Sequence, residues 1–331
     1  MKSSIFAAFV CLAVLLCGCV QEQQPVAEAT KDQPIVVGFS QVGAESEWRV
    51  ANTESIKASL SEKNGYELIF DDARNEQENQ IKAIRTFIQQ DVDYIVFSPR
   101  VETGWNSILQ EAKEAGIPVI VTDRYIEAAD EDLYMAYIGS DFREEGDKAV
   151  KWLEELLEKQ GRAKEPIGIV HIQGTLASSA QIGRTGALEN AVGQNPYWTI
   201  IAQEDGDFTR AKAYEVMGEI LKKRKEIDVV YCENDGEALG AIDAMEEAGL
   251  KCNVNGGVIV ISFDATRLGL EYCLEGKIGL TVECNPLQGP YVDEIIKKLE
   301  RGEPIERETF TDETQFDYFT ITREMIDSRE Y

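Results

Sequence analysis

The chain reads as an α/β protein built from two doubly wound parallel-sheet lobes. Three observations point there. From Pro34 onward, short β-branched apolar runs alternate with amphipathic stretches of helical period. The runs are almost unbroken in their hydrophobicity, as strands buried on both faces of a parallel sheet must be. Roughly ten such runs over roughly 300 residues are also more than one sheet holds comfortably, which calls for two lobes. Alternation of β and α carries right-handed crossovers with it.

The first element is a processing signal. Lys2 precedes the apolar run from Ile5 to Leu16, which is too short for a membrane span and is followed by Leu16-Cys17-Gly18-Cys19. This resembles the bacterial lipoprotein box, in which the final cysteine is lipidated and becomes the mature N-terminus. Residues 1–18 are then a signal peptide and Cys19 is the lipidation site; a plain cleaved signal or an uncleaved anchor is the alternative. The polar, aperiodic segment from Val20 to Lys31 reads as a flexible tether.

The expected strands follow as 34–40, Tyr66–Phe70, Tyr94–Ser98, Pro118–Thr122, Ile167–Ile172, Trp198–Gln203, Val229–Tyr231, Gly257–Ser262 and Ile278–Val282. Helical periodicity runs over Gln80–Ile88, Lys148–Lys159, Arg210–Lys222 and Gly236–Ala248, and a helix starts near Trp48. Gly116, Gly249 and Gly276 stand where helix-ending glycines stand. The spacing is loosest between Tyr134 and Pro166, so the first lobe ends near Ile138.

Strand ends are where open α/β sheets bind ligands. Here they carry Ser40-Gln41, Asp71-Asp72, Ser98-Pro99-Arg100 and Thr122-Asp123-Arg124 in the first half. In the second half they carry Gln173-Gly174-Thr175, Glu204-Asp205-Gly206-Asp207, Glu233-Asn234-Asp235 and Asp264. Exposed loops and helix caps account for part of this polarity, and Asp235 reads as an N-cap with Glu237 favouring the helix dipole. Asp123-Arg124 is a different matter. An acceptor beside a five-donor fork suits adjacent hydroxyls, each of which both donates and accepts.

Charge and composition exclude several classes. The formal charge of −27 argues against a nucleic-acid partner, because phosphate binding needs concentrated Lys and Arg. The chain has one histidine, His171, inside the apolar run Ile167–Ile172, where a packed core residue is expected rather than a catalytic base. Histidine-rich metal sites are thereby excluded, and a nucleophilic triad could rest only on His171. No GxxxxGK[ST] or strand-linked GxGxxG occurs, so no nucleotide cofactor is implied. With 60 acidic residues, pairs of carboxylates carry little information about acid–base chemistry. Lys222-Lys223-Arg224-Lys225 closes a helix, where positive charge complements the dipole. Cys232, Cys252, Cys273 and Cys284 show no metal spacing. Cys232 ends an apolar run and suits a buried free thiol, while the pairing of the four stays open.

The stretches VGFSQVGAESEWRVAN, QENQIKAIRTFI, DYIVFSP, TGWNSILQEAKEAGIPVIVTDR, QGTLASSAQIGR, GDFTRAKAYEVM and ENDGEALGAIDAMEEAGL resemble the periplasmic sugar-binding proteins of ABC transporters, a family related to ribose-binding protein, and within it the galactofuranose-binding branch. The resemblance implies a type I periplasmic binding protein fold with a three-strand hinge. It places one lobe at 34–138 plus 285–312 and the other at 139–284 plus 313–331, after a tether at 19–33. It also implies a monomer that captures a monosaccharide and docks on a permease, held to the membrane by its lipid. By that resemblance Asp123 and Arg124 bind sugar hydroxyls, Arg184 reaches in from the second lobe, and Phe208 lies beside the sugar. Asn234 and Asp264 supply an amide and a carboxylate. Ser40, Glu45, Trp48 and Arg49 form the segment that tunes ligand choice, and Cys284 and Asn285 stand where ribose binders have a ligand glutamine, with Asn285 the candidate last contact. Trp48 would stack on the sugar's C–H face while Arg49 and Glu45 bond hydroxyls; packing of Trp48 on its sheet and pairing of Arg49 with Glu45 or Glu47 are the alternatives. A sensor feeding a kinase or receptor would use the same site. A DNA-binding regulator lacks its helix-turn-helix here, and a sugar hydrolase would need a working carboxylate pair.

Overall fold

The computed structural model describes residues 33–331, so the signal segment, Cys19 and the tether as far as Asp32 lie outside the described residues. Pro34–Tyr331 is a compact unit in its own right and holds every strand and core cluster described below. Among the described residues, no helix is long and apolar enough to cross a membrane.

In chain order the elements are β1 Ile35–Gln41, α1 Glu47–Ser59, β2 Tyr66–Asp72, α2 Gln77–Gln89, β3 Tyr94–Phe97, α3 Asn106–Glu114, β4 Val119–Asp123 and β5 Ala136–Gly139. Then come α4 Phe142–Lys159, β6 Ile167–Gln173, α5 Ser179–Gln194, β7 Trp198–Asp205, α6 Arg210–Lys223, β8 Val229–Cys232, α7 Asp235–Glu247, β9 Ile259–Asp264, α8 Arg267–Leu274 and β10 Leu280–Glu283. Last are α9 Gly289–Glu300, β11 Glu308–Phe310, β12 Gln315–Asp317 and α10 Arg323–Asp327. Gly116, Gly249 and Gly276 end helices in the left-handed region, with φ of 76°, 79° and 78°.

Two six-stranded sheets result, ordered β11-β5-β4-β3-β1-β2 and β12-β10-β9-β8-β6-β7. All pairs are parallel except β10 with β12. Apart from the edge strands β11 and β12, both lobes repeat one doubly wound order, with the second strand outermost and the first beside the third. The switch point, where crossovers turn in opposite directions, therefore falls beside β1 and β3 in one lobe and beside β6 and β8 in the other. β5, β11 and β12 are strands that hydrophobicity alone did not reveal. The last two are three residues each and half exposed, so they have no apolar run to show.

Alternate side chains of each strand pack on opposite layers. In the first sheet Val96 and Ile120 face α1 and α9, meeting Ile56, Leu60, Val292 and Ile296. Ile95, Val119 and Val121 face α2 and α3, meeting Ile84, Phe87, Ile108 and Leu109. In the second sheet Ile169, Val229 and Ile261 meet Leu153, Leu157 and Leu188 of α4 and α5. Val170, Val230 and Val260 meet Met217, Ile220, Ile242 and Met245 of α6 and α7. Apolar residues on both strand faces are thus explained by helices on both sides.

The chain passes between the sheets three times: from β5 into α4 at Ser140–Asp141, from β10 into α9 at 284–288, and from β11 to β12 at 311–314. One carboxylate oxygen joins all three passages. Glu313 Oε1 accepts from Ser140 Oγ (2.5 Å), Asn285 N (2.8 Å) and Thr311 Oγ1 (2.7 Å).

Candidate binding site between the lobes

The carboxyl ends of both sheets face one narrow cleft, with a cavity volume of about 20 Å³. Its first-lobe wall is Glu45, Ser46, Trp48, Arg49, Asp123 and Arg124; its second-lobe wall is Phe142, Ala180, Arg184, Phe208, Asn234 and Asp264, with Cys284 from the second passage. Nearly every polar member is buried. The lobes also touch along the rim. Glu102 N donates to Ala177 O (2.9 Å), Tyr125 N to Ser179 Oγ (2.8 Å) and Asn75 Nδ2 to Asp207 Oδ2 (3.2 Å). The cleft is closed.

The first-lobe wall is a quartet of alternating charge. Ser46 caps α1 by accepting from Arg49 N (3.1 Å), which sets Trp48 and Arg49 on the first helical turn. Arg49 then donates to Asp123 Oδ2 (2.6 Å), Ser98 Oγ (3.1 Å), Gln41 Oε1 (3.3 Å) and Glu45 Oε1 (3.0 Å). Burial opposes the charge of Arg49, but Asp123 and Glu45 outweigh it and hold the guanidinium above its ordinary range. Burial likewise opposes ionised Glu45, and Arg49 with Arg124 outweighs it, so Glu45 stays below the usual carboxylate range. Arg124 is pulled down to about 10 by burial and by the neighbouring Arg49 charge. Two groups keep bonding capacity: Glu45 Oε2 is buried without a hydrogen-bond partner, and the Arg124 guanidinium donates from Nη1 to Arg100 O (3.1 Å) while lying over the Phe208 ring at 5.1 Å. An unsatisfied buried acceptor in a cavity wall is a docking point for a ligand hydroxyl.

The second-lobe wall is held from behind. Arg184 Nε donates to Glu145 Oε2 (2.7 Å) and Nη1 to Glu233 O (2.5 Å), and the guanidinium lies over the rings of Phe263 (4.7 Å) and Phe142 (5.3 Å). Asp264 is pushed up to about 8 by burial, against the pull of Arg184. Asn234 is the N-cap of α7, accepting from Glu237 N (2.7 Å) and donating to Phe208 O (3.0 Å). This corrects the expectation for Asp235. Its carboxylate instead accepts from Ser262 Oγ (2.6 Å), Thr266 N (2.8 Å), Thr266 Oγ1 (2.8 Å) and Thr281 Oγ1 (3.0 Å) inside the lobe.

Backbone strain gathers at the same place. Asp123, Phe208 and Asp264 have φ of 63°, 57° and 96°. Residues with a Cβ hold such angles only where the surroundings over-determine them, and such outliers concentrate at ligand sites. Phe208 has company for this: Gly174 lies under its ring, where an added Cβ would stand 2.0 Å from Phe208 Cζ.

The structure therefore brings together Glu45, Trp48, Arg49, Asp123, Arg124, Arg184, Phe208, Asn234 and Asp264. It leaves two expected residues outside the lining. Ser40 is buried in β1 with Oγ unpartnered, and Asn285 turns Oδ1 onto Leu287 N (2.9 Å) while its neighbour Cys284 faces the cleft. Trp48 remains in the wall, but Nε1 donates to Cys284 O (2.6 Å) and Arg49 covers its ring at 4.7 Å. Arg49 pairs with Glu45, the alternative reading of that residue, and also lines the cleft. Phe142 and Ala180 carry no signal in sequence, each being an ordinary apolar residue in the first turn of a helix, while Cys284 shares with Asn285 the place where ribose binders have glutamine. His171 is a core residue, its Nε2 2.9 Å from Glu233 Oε1, and the four cysteines described are buried and free.

Known proteins share this fold. A model of the periplasmic binding protein domain matches residues 37–303. The galactofuranose-binding protein YtfQ of Escherichia coli (strain K12) is 39% identical over 287 residues, covering 86% of this chain and 88% of that one. The crystal structure of a Mycobacterium smegmatis protein in complex with β-D-fucofuranose superimposes with a TM-score of 0.82 at 44% identity, covering 87% of this chain and 92% of that one. The binding-protein component of the arabinose ABC transporter from Shewanella sp. ANA-3, bound to α- and β-L-arabinofuranose, gives 0.81 at 38% identity, with 89% and 95% covered. With the family model spanning most of the chain and this degree of identity, the chain belongs to the periplasmic binding protein domain family.

Proposed function

We propose that the chain is an extracytoplasmic solute-binding protein that closes around one furanose-form monosaccharide, galactofuranose or a related furanose or pentose, and presents it to an ABC permease. The carrying observation is the interlobe cavity, whose planar donors and acceptors come from both sheets around an aromatic wall. Adjacent sugar hydroxyls each donate and accept, which matches carboxylates alternating with guanidinium groups. Contacts from both lobes mean that sugar binds the closed state better and so shifts the hinge equilibrium toward it. The roles follow from position: Glu45, Arg49, Asp123 and Arg124 bond hydroxyls from one side, Arg184, Asn234 and Asp264 from the other, and Trp48 and Phe208 flank the ring. Ser40 and Asn285 act from behind the wall. The protein works as a monomer, exported and held at the outer face of the membrane through lipid on Cys19. Its lobes divide at 34–138 plus 285–312 and 139–284 plus 313–331.

Support comes from the relatives named above, whose ligands are furanoses and whose partner, where named, is an ABC transporter. The test is calorimetric titration of residues 20–331, which contain the whole folding unit, with galactose, arabinose, ribose, glucose and furanosidic disaccharides. One-to-one saturable binding is the expected result. A folded protein that gives no heat with any of them refutes the reading.

A further inference from the structure

Glu145 of α4 does not line the cavity, yet it is 1% exposed and grips the cavity arginine, Arg184, through Oε2. Its other oxygen, Oε1, is buried with no hydrogen-bond partner. Beyond it lies the hinge. A carboxyl oxygen of Glu145, Sγ of Cys284 and a carboxyl oxygen of Glu313 all lie within 4.8 Å of one another. Glu313 Oε1 already takes three donors from the three passages, which favour its anion although burial raises its pKa above the ordinary value. Arg184 already supplies a positive charge on the other side of Glu145. Glu145 Oε1 has no donor in this cluster, and a proton on it instead makes it a donor toward an acceptor there, the Glu313 carboxylate or Cys284 Sγ.

We propose that Glu145 is a positioning residue for sugar capture: in the closed form it holds Arg184 with one oxygen and carries a proton on the other, directed into the hinge cluster, so that closure takes up a proton. The proposal rests on the sugar-binding reading above. Burial pushes Glu145 up to about 8, with Arg184 pulling it down and Glu313 pushing it up. The other groups that face this region are Asp264 from β9, also raised to about 8 by burial, Cys284, raised well above its usual range by burial and by Glu145, and Tyr231 of β8 and Tyr137 of β5, both raised by burial. Opening the cleft admits water and returns Glu145 toward the ordinary carboxylate range. The sign follows. A group whose closed-state pKa is the higher one favours closure at low pH, and that advantage fades as pH rises through the closed-state value. For one proton the loss is at most about tenfold in affinity per pH unit, ending above about pH 8.

The test titrates residues 20–331 with L-arabinose and D-galactose between pH 5.5 and 9, at each pH in two buffers of different ionisation enthalpy. Expected for the wild type are weakening across neutral pH, a plateau above about 8, and buffer-dependent heats that report proton uptake. Glu145→Ala, which releases Arg184, weakens binding at least tenfold. Glu145→Gln, whose amide accepts from Arg184 and donates to the cluster, restores affinity to within about threefold and flattens the pH profile. A wild-type affinity without pH dependence, or heats independent of buffer, overturns the proposal without any variant being needed. A Glu145→Gln profile as steep as the wild type's also overturns it and moves the proton to Asp264. If the folded wild type binds neither these nor any other sugar of the panel, the parent reading falls and takes this one with it.

Discussion

Asp123→Ala separates the two duties of the first-lobe wall. Asp123 Oδ2 holds Arg49 Nη1 at 2.6 Å and Ser98 Oγ at 2.8 Å, with both charged side chains nearly fully buried. Deleting one partner of a buried ion pair costs about 3–5 kcal/mol, because the remaining charge is left uncompensated. Here Glu45 keeps its 3.0 Å bond to Arg49 Nε, so the loss falls at the lower end, near ~3 kcal/mol. Affinity falls for a second reason. A hydrogen bond from a sugar hydroxyl to a carboxylate contributes about 1.5–3 kcal/mol, which is roughly 10–150-fold in Kd. Asp123→Asn keeps an acceptor and the shape while removing the charge, so it lies between alanine and wild type in both measurements. Urea unfolding monitored by tryptophan fluorescence reads the first quantity and calorimetric titration reads the second. An alanine variant with the wild-type urea midpoint and a Kd within twofold would refute the reasoning for both duties at once.

Other expectations rest on separate parts of the molecule. Gly174→Ala drives a methyl into the Phe208 ring, so Phe208 leaves the cavity wall; sugar affinity drops at least tenfold, while overpacking costs only about 1–3 kcal/mol of stability in urea. A Gly174→Ala protein that binds as tightly as wild type would remove Phe208 from the site. Cys232, Cys252, Cys273 and Cys284 are buried and free in the closed form, so a thiol reagent acting on residues 20–331 with saturating sugar finds none in the native state and all of them after denaturation; thiols missing after denaturation without reductant would reveal a disulfide. Stability has a pH optimum. Glu145 and Asp264 are raised to about 8 in the closed form, so the stability of the sugar-saturated protein falls as pH rises toward that value, by up to about 1.4 kcal/mol per pH unit per group. Glu45 is lowered, so its contribution is lost instead as pH falls through the acid range below its ordinary value. Urea midpoints at pH 4, 6 and 9 check this, and a midpoint higher at pH 9 than at pH 6 contradicts it.

The sequence by itself determined the architecture and much of the cleft's lining. Apolar runs spaced by amphipathic helices mark parallel strands covered on both faces, because only two-sided burial lets a strand dispense with alternating polarity. Asp123, Arg124, Asn234 and Asp264 were legible because ligands of such sheets sit beyond strand carboxyl ends, and these residues follow β-branched runs directly. Tertiary structure alone decided which face each polar residue turns. Asn234 and Asp235 are neighbours in sequence, yet one caps α7 at the cleft and the other is sealed among the hydroxyls of Ser262, Thr266 and Thr281. Cys284 and Asn285 exchange expected places for the same reason: the passage between lobes has no repeating hydrogen-bond ladder, so no sequence period predicts which side chain points inward. Glu145 lay unseen in an ordinary amphipathic helix. Its partners Arg184, Cys284 and Glu313 stand 39, 139 and 168 positions along the chain from it, and only the folding of three passages into one hinge brings their charges within reach of each other.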